Sequence, residues 1–242
     1  MPNRKIMTVR LAQRFLSAAL LVTLAGGCAS RNHFATLAVL PDDGNHQAAF
    51  SRAGQTINHL FPAQYRAIQR AIVTAGGRQF ACDGLLEVSP AEGHHLAIVS
   101  SFGLVTDLRV KADGGCELLK VTPLFREDWS LRFVARDLRR LFIAPANLRP
   151  AGRLADGSVV LETAPDSAGV MAAYIFSADG ARWQALDLIQ NGTTFYRAAP
   201  KNFRKFPGMS AEIPGGFEVS AEAYRLELRI AELAAPKTEA QP

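Results

Sequence analysis

Three cysteines, two tryptophans and five histidines in 242 residues leave little material for metal or redox chemistry. No Cys-x-x-Cys pair occurs, and no cysteine–histidine spacing suits zinc. The nucleophile elbow G-x-S-x-G, the metalloprotease H-E-x-x-H, the P-loop and a strand-borne G-x-G-x-x-G are all missing, so no catalytic residue or cofactor is expected. Acidic residues are absent from the first 27 positions, where Arg4, Lys5, Arg10 and Arg14 contribute four of the five net positive charges. From Cys28 onward the balance is +1, too little for the sustained basic footprint of a nucleic-acid binder. No run approaches the length of a membrane-spanning helix.

What the N-terminus does contain is a leader. Its basic start is followed by Phe15–Leu24, ten residues without charge. As a helix these span roughly 15 Å, about half a bilayer core, which fits the apolar region of a signal peptide. Leu24-Ala25-Gly26-Gly27-Cys28 closes it and resembles a bacterial lipobox, with Cys28 offering its thiol for lipidation. Residues 1–27 are then cleaved, and two or three acyl chains, palmitate among them, hold the protein firmly where one would not. Ala29 stands where Asp would signal retention, so the expected location is the periplasmic face of the outer membrane. In that oxidising compartment Cys82 and Cys116, in neighbouring strand-like segments, either form a disulfide or stay as free buried thiols.

Residues 28–45 read as a lipidated N-terminus and tether ending in the turn Pro41-Asp42-Asp43-Gly44-Asn45. Phe50, Ile57, Leu60 and Phe61 mark one face of a helix over 46–61, stopped by Pro62. The period then becomes two. Strands are expected at Tyr65–Thr74, Arg78–Ser89, Leu96–Ser101, Leu104–Val110 and Cys116–Val121, and later at Ser158–Thr163, Val170–Ser177, Arg182–Ile189, Thr193–Arg197 and Ala221–Ala231. Asp156-Gly157, Asp179-Gly180 and Asn191-Gly192 signal type I′ hairpin turns. Between the two groups lies an amphipathic helix, Trp129–Phe142, capped by Asp128, with a stripe of Leu131, Val134, Leu138, Leu141 and Phe142. The fold class that follows is mainly β with helices: one curved antiparallel sheet over 46–233 that curls toward a barrel to protect its edges, with the apolar stripe of the helix buried on its concave side. Residues 234–242 form a flexible tail.

Few residues offer chemistry. His94-His95 reads as a solvated pair in a hairpin turn rather than a metal site, and Glu87, Asp107 and Asp113 as polar-face carboxylates rather than an acid–base pair. Arg132, Arg136, Arg139 and Arg140 either meet anionic headgroups or an acidic partner, or are simply solvated.

Two stretches carry a resemblance. Arg78-Gln79-Phe80-Ala81-Cys82-Asp83-Gly84-Leu85-Leu86-Glu87-Val88 is similar to a strand of the outer-membrane lipoprotein receptor LolB. Ser101-Phe102-Gly103-Leu104-Val105-Thr106-Asp107-Leu108-Arg109-Val110 resembles its S-P-L-G turn and following strand, without the proline. In overall spacing the chain resembles more a family of lipoproteins encoded beside aryl polyene pigment and lipid biosynthesis genes. The resemblance to the LolA/LolB-like carriers and receptors implies a half-open barrel binding the acyl chains of lipids or lipoproteins, with Leu104, Leu108, Val134, Leu138, Leu141 and Phe142 lining cavity and lid. No counterpart of the receptor's protruding leucine-bearing loop is apparent. The rival reading is a non-enzymatic assembly lipoprotein with a solid barrel that docks another envelope protein through the Arg132–Arg140 face or the 203–216 loop.

Overall fold

A computed structural model describes residues 46–111, 115–122 and 130–234. The leader, Cys28, the tether, Asp113, Asp128, Trp129 and residues 235–242 lie outside the described residues, while Ala234, expected in the tail, ends the last strand, paired with Arg66. Helix α1 (Gln47–Asn58) precedes five strands: β1 (Tyr65–Ala75), β2 (Arg78–Ser89), β3 (Gly93–Ser100), β4 (Gly103–Val110) and β5 (Cys116–Val121). A π-helical turn, Ser130–Val134, runs into helix α2 (Ala135–Phe142). Seven strands follow: β6 (Arg149–Arg153), β7 (Val159–Glu162), β8 (Val170–Phe176), β9 (Trp183–Gln190), β10 (Thr193–Lys201), β11 (Gly216–Ala221) and β12 (Arg225–Ala234).

All twelve strands form one antiparallel sheet in the order β5-β4-β3-β2-β1-β12-β11-β10-β9-β8-β7-β6. The first strand pairs with the last in the middle of the sheet, so the chain leaves one edge at β5 and re-enters the other at β6. These edge strands do not pair, and α2 lies on the connection between them. Laid flat, twelve strands would span roughly 50 Å at about 4.8 Å each. Instead inward residues of β1–β4 and β7–β12 join both helices in one buried cluster, which requires the sheet to curl around α2. Both edges carry protection against pairing with another chain: Glu117 and Lys120 on β5, Arg149 and Pro150 on β6.

Two expectations of the strand pattern need correction. A strand at β6 was not expected, because Arg-Pro-Ala-Gly-Arg has no alternation and its proline is tolerated only at an edge. Ala221–Ala231 is not one strand: the chain turns through Glu222 and Ala223, and Phe217, Val219 and Ala221 belong to β11, whose three-residue alternation is short. Of the type I′ signals, Asn191-Gly192 has both residues at positive φ (51° and 75°), whereas at 156–157 and 179–180 only the glycine does. Gly180 has a second reason to be glycine. A Cβ there would stand 2.1 Å from the Ala49 carbonyl oxygen, so the β8–β9 turn sits directly against α1. Thr56 donates to the Gly180 carbonyl at 3.0 Å across the same contact.

Candidate functional site: the helix on the concave face

The apolar stripe of α2 faces inward. Ala135, Leu138, Leu141 and Phe142 are buried, and Val134 is half-buried against the same cluster. Opposite them stand Leu108 on β4, Trp183 on β9, Tyr196 on β10 and Phe217 on β11. Phe142 meets Phe217 edge-on at 5.5 Å and Phe61 at 5.2 Å, and Trp183 continues the aromatic stack at 5.7 Å from Phe217. Five of the six sequence-expected lining residues, Leu108, Val134, Leu138, Leu141 and Phe142, therefore share one cluster.

Leu104 does not join them. Ile98 pairs with Thr106 but Val99 with Leu104, so Val105 is an extra residue in β4. Such a bulge reverses the side-chain alternation beyond it. Val105 and Thr106 are both buried, and Leu104 shares its register with Val99, beside Asp83 of β2 on the outer face.

The space left beside α2 is small. A cleft of about 180 Å³ opens between Leu60, Phe61, Tyr65, His94, Leu141 and Phe142 at the C-terminal end of the helix, less than the 300–1,000 Å³ usual for small-molecule pockets. Burial lowers the basicity of His94 there, and its bond to the Phe142 backbone works the other way. The seated helix itself occupies the concavity.

The helix also carries a buried carboxylate. Asp137, 6% exposed, accepts a hydrogen bond at Oδ2 from the Tyr224 hydroxyl at 2.5 Å, and Arg140 Nη1 lies 3.6 Å from Oδ1. The Arg140 guanidinium stacks over the Tyr196 ring at 4.4 Å. Burial raises the Asp137 pKa above the ordinary carboxyl range, against the pull of Tyr224, Arg140, Tyr196 and Arg136. Burial also drives Tyr196 and Tyr224 upward, so both phenols keep their protons. Sequence reasoning missed this cluster because an Asp between arginines on a helix reads as surface charge. Of the four arginines, Arg132 and Arg136 are exposed, while Arg139 and Arg140 are half-buried.

His94-His95 is not in a turn but in β3, which begins one residue earlier at Gly93; His94 faces the cleft beside α2 and His95 the outer face. His95 Nε2 is 2.6 Å from Asp107, with Glu87 at 3.8 Å from its Nδ1 and Arg66 bound to Glu87 at 2.6 Å. Among the described residues no group of three His, Cys, Asp or Glu side chains could hold a metal ion. Cys82 and Cys116 are free thiols, on β2 and β5, with β3 and β4 between them. Three strand spacings, about 14 Å, exclude the disulfide; Cys82 is half-buried and Cys116 exposed.

One further feature was not read from the sequence. Phe102, at the tip of the β3–β4 hairpin, is 87% exposed, with Val99 behind it at 41%.

No known family model and no curated protein matches the chain. Among solved structures it is similar to an outer membrane lipoprotein-sorting protein domain from Vibrio parahaemolyticus, at 10% identity over 78% of this chain and 91% of that one, with a TM-score of 0.54. It is similar also to a DUF1329 family protein from Desulfovibrio piger, at 10% identity over 80% and 94%, with a TM-score of 0.51. A LolA superfamily protein from Nitrosomonas europaea aligns at 12% identity over 78% and 93%, with a TM-score of 0.49. At such identities the likeness is one of fold. The chain is a single open antiparallel sheet with helices, an incomplete barrel of the kind found in the lipoprotein-sorting domain.

Proposed function

We propose that this protein is a non-enzymatic lipoprotein of the outer membrane's periplasmic face that binds acyl chains of lipids or lipoproteins on its concave sheet, as a carrier or localisation factor. The supporting observation is the position of α2: an amphipathic helix seated inside an open sheet, on the connection between two unpaired edge strands. Removal of residues 1–27 and lipidation of Cys28 would anchor it, with 28–45 as tether and the barrel from residue 46 to the end of β12 at Ala234. The resemblance to lipoproteins encoded beside aryl polyene genes makes a pigment-linked lipid one cargo to test. Phe102 at its hairpin tip offers an apolar point of contact with the bilayer.

The energetics allow the exchange. Leu138, Leu141 and Phe142 each gain about 1.5–3 kcal/mol from burial, roughly 5–9 kcal/mol together. A sixteen-carbon chain taking their place gains roughly 12 kcal/mol at about 0.8 per methylene. Hydrogen exchange on the full chain with a diacylated lipopeptide tests this. Displacement of the lid predicts faster exchange of the 130–142 amides while β8–β10 amides slow; slowing of both sets, or no change, would count against it.

The rival, a solid barrel that docks another envelope protein, draws on the same filled interior. It predicts no response to lipopeptide and a partner lost on reversing the exposed charges of Arg132 and Arg136.

A further inference from the structure

We propose that Tyr196 and Tyr224 form a docking site for the oxygen-bearing head of the acyl ligand, a carboxyl or carboxylic ester, and that Asp137 of the seated helix occupies this site until the ligand replaces it. This deepens the carrier reading and rests on it.

The concave face is lined mainly by hydrocarbon, so its polar atoms stand out. Tyr196 is 1% exposed, and its hydroxyl lies close enough to Asp137 for each to shift the other's pKa, although the contact falls short of a hydrogen bond of ordinary geometry. The Tyr224 hydroxyl has one partner, Asp137 Oδ2. Both phenols belong to the sheet side, one on β10 and the other just before β12, and Phe133 packs edge-on against Tyr224 at 5.2 Å. Asp137 belongs to the helix. Its carboxylate can only accept hydrogen bonds, and the sheet meets it with two donors.

Withdrawing the helix takes Asp137 and Arg140 away together and strands two phenolic O–H groups in an apolar trough. A buried donor without an acceptor loses most of its hydration free energy. Pure hydrocarbon cannot relieve that loss. An acyl carboxylate, carboxylic acid or ester can, because each offers acceptor oxygens at the end of a chain that fills the space of Leu138 and Leu141. The side chain of Asp137 thus stands in for the ligand's head, while its apolar neighbours stand in for the tail. Selectivity for the head then resides in the sheet, and the closed position of the helix is stabilised by mimicry of what it excludes.

The test is titration calorimetry of the full chain with palmitate, methyl palmitate and hexadecyltrimethylammonium, three ligands with the same tail length and different heads. Tyr196→Phe/Tyr224→Phe keeps both rings and removes both donors. Because it also loosens the seated helix for every ligand, the readout is a ratio: its affinity for palmitate and methyl palmitate is expected to fall about tenfold relative to its affinity for the ammonium ligand, the scale of one to two buried hydrogen bonds. Asp137→Ala changes only the seated helix and is expected to tighten all three ligands alike. An unchanged far-ultraviolet circular dichroism spectrum for the Phe pair shows that the fold is intact. Equal effects of the Phe pair on all three ligands, or none on any, would overturn the head site while leaving the carrier reading standing. No binding of any ligand to wild type would overturn both.

Discussion

Truncating Leu138 to alanine separates a lid from an ordinary core helix. Leu138 is 3% exposed and sits at the centre of the α2 stripe. Removing three carbons forfeits roughly 2.4 kcal/mol of burial, and incomplete collapse of the cavity brings the cost to about 2–5 kcal/mol. In a core helix that whole cost appears as lowered global stability. In a lid it falls first on the seated state, which an acyl ligand must displace. Destabilising that state by about 2.5 kcal/mol tightens apparent ligand affinity by up to about 70-fold, because the ligand no longer competes with as strong an occupant. Displacement of a fluorescent fatty acid from the full chain, read together with the melting temperature, measures both. A fall in melting temperature with affinity unchanged or weaker would refute the lid.

Four further outcomes are expected. Burial raises the Asp137 pKa, so the folded chain holds that proton where the unfolded chain, at about 3.9, has released it; the folded state gains stability as pH falls through the raised value, and the gain is complete below the unfolded one. The melting-temperature advantage of wild type over Asp137→Asn should accordingly grow between pH 7 and 4, and a constant difference would contradict this. Gly180→Ala forces a Cβ onto the α1 backbone at a φ of +73°, and should cost about 2 kcal/mol or more in urea denaturation while exposing Phe50 and Ile57. Arg197→Ala strands the fully buried Asp187, whose oxygens it holds at 2.6 Å, and should cost about 2–3 kcal/mol by the same assay. Phe102→Ser should leave the melting temperature unchanged and reduce sedimentation with phosphatidylglycerol vesicles, since the ring is exposed in the free protein.

Local signals carried much of this architecture. The apolar stripe of Leu138, Leu141 and Phe142 and the hairpin at Asn191-Gly192 depend on spacing and backbone preference alone, and they are read directly from residue order. What escaped depends on neighbours distant in sequence. β6 exists because an edge tolerates Pro150, and β11 because Phe217, Val219 and Ala221 find β10 and β12. Leu104 departs from Leu108 because one extra residue, Val105, shifts the register, and no composition rule marks a bulge among Leu, Val and Thr. Asp137 points inward because Tyr224, 87 residues later, supplies its hydrogen bond. The disulfide was open in sequence because strand order was unknown; two intervening strands exclude it. The apolar face of the helix is thus legible in the sequence, while the polar cluster around Asp137 appears only once the sheet has curled around that helix.

The most direct test of acyl binding is native mass spectrometry of the full chain purified from a cell-envelope extract. The account predicts discrete added masses, beyond any covalent acyl groups on Cys28, that disappear on organic extraction and return on addition of fatty acid or lipopeptide. A mass with no such additions, unchanged after either ligand is supplied, would contradict it and favour a solid barrel that docks a protein.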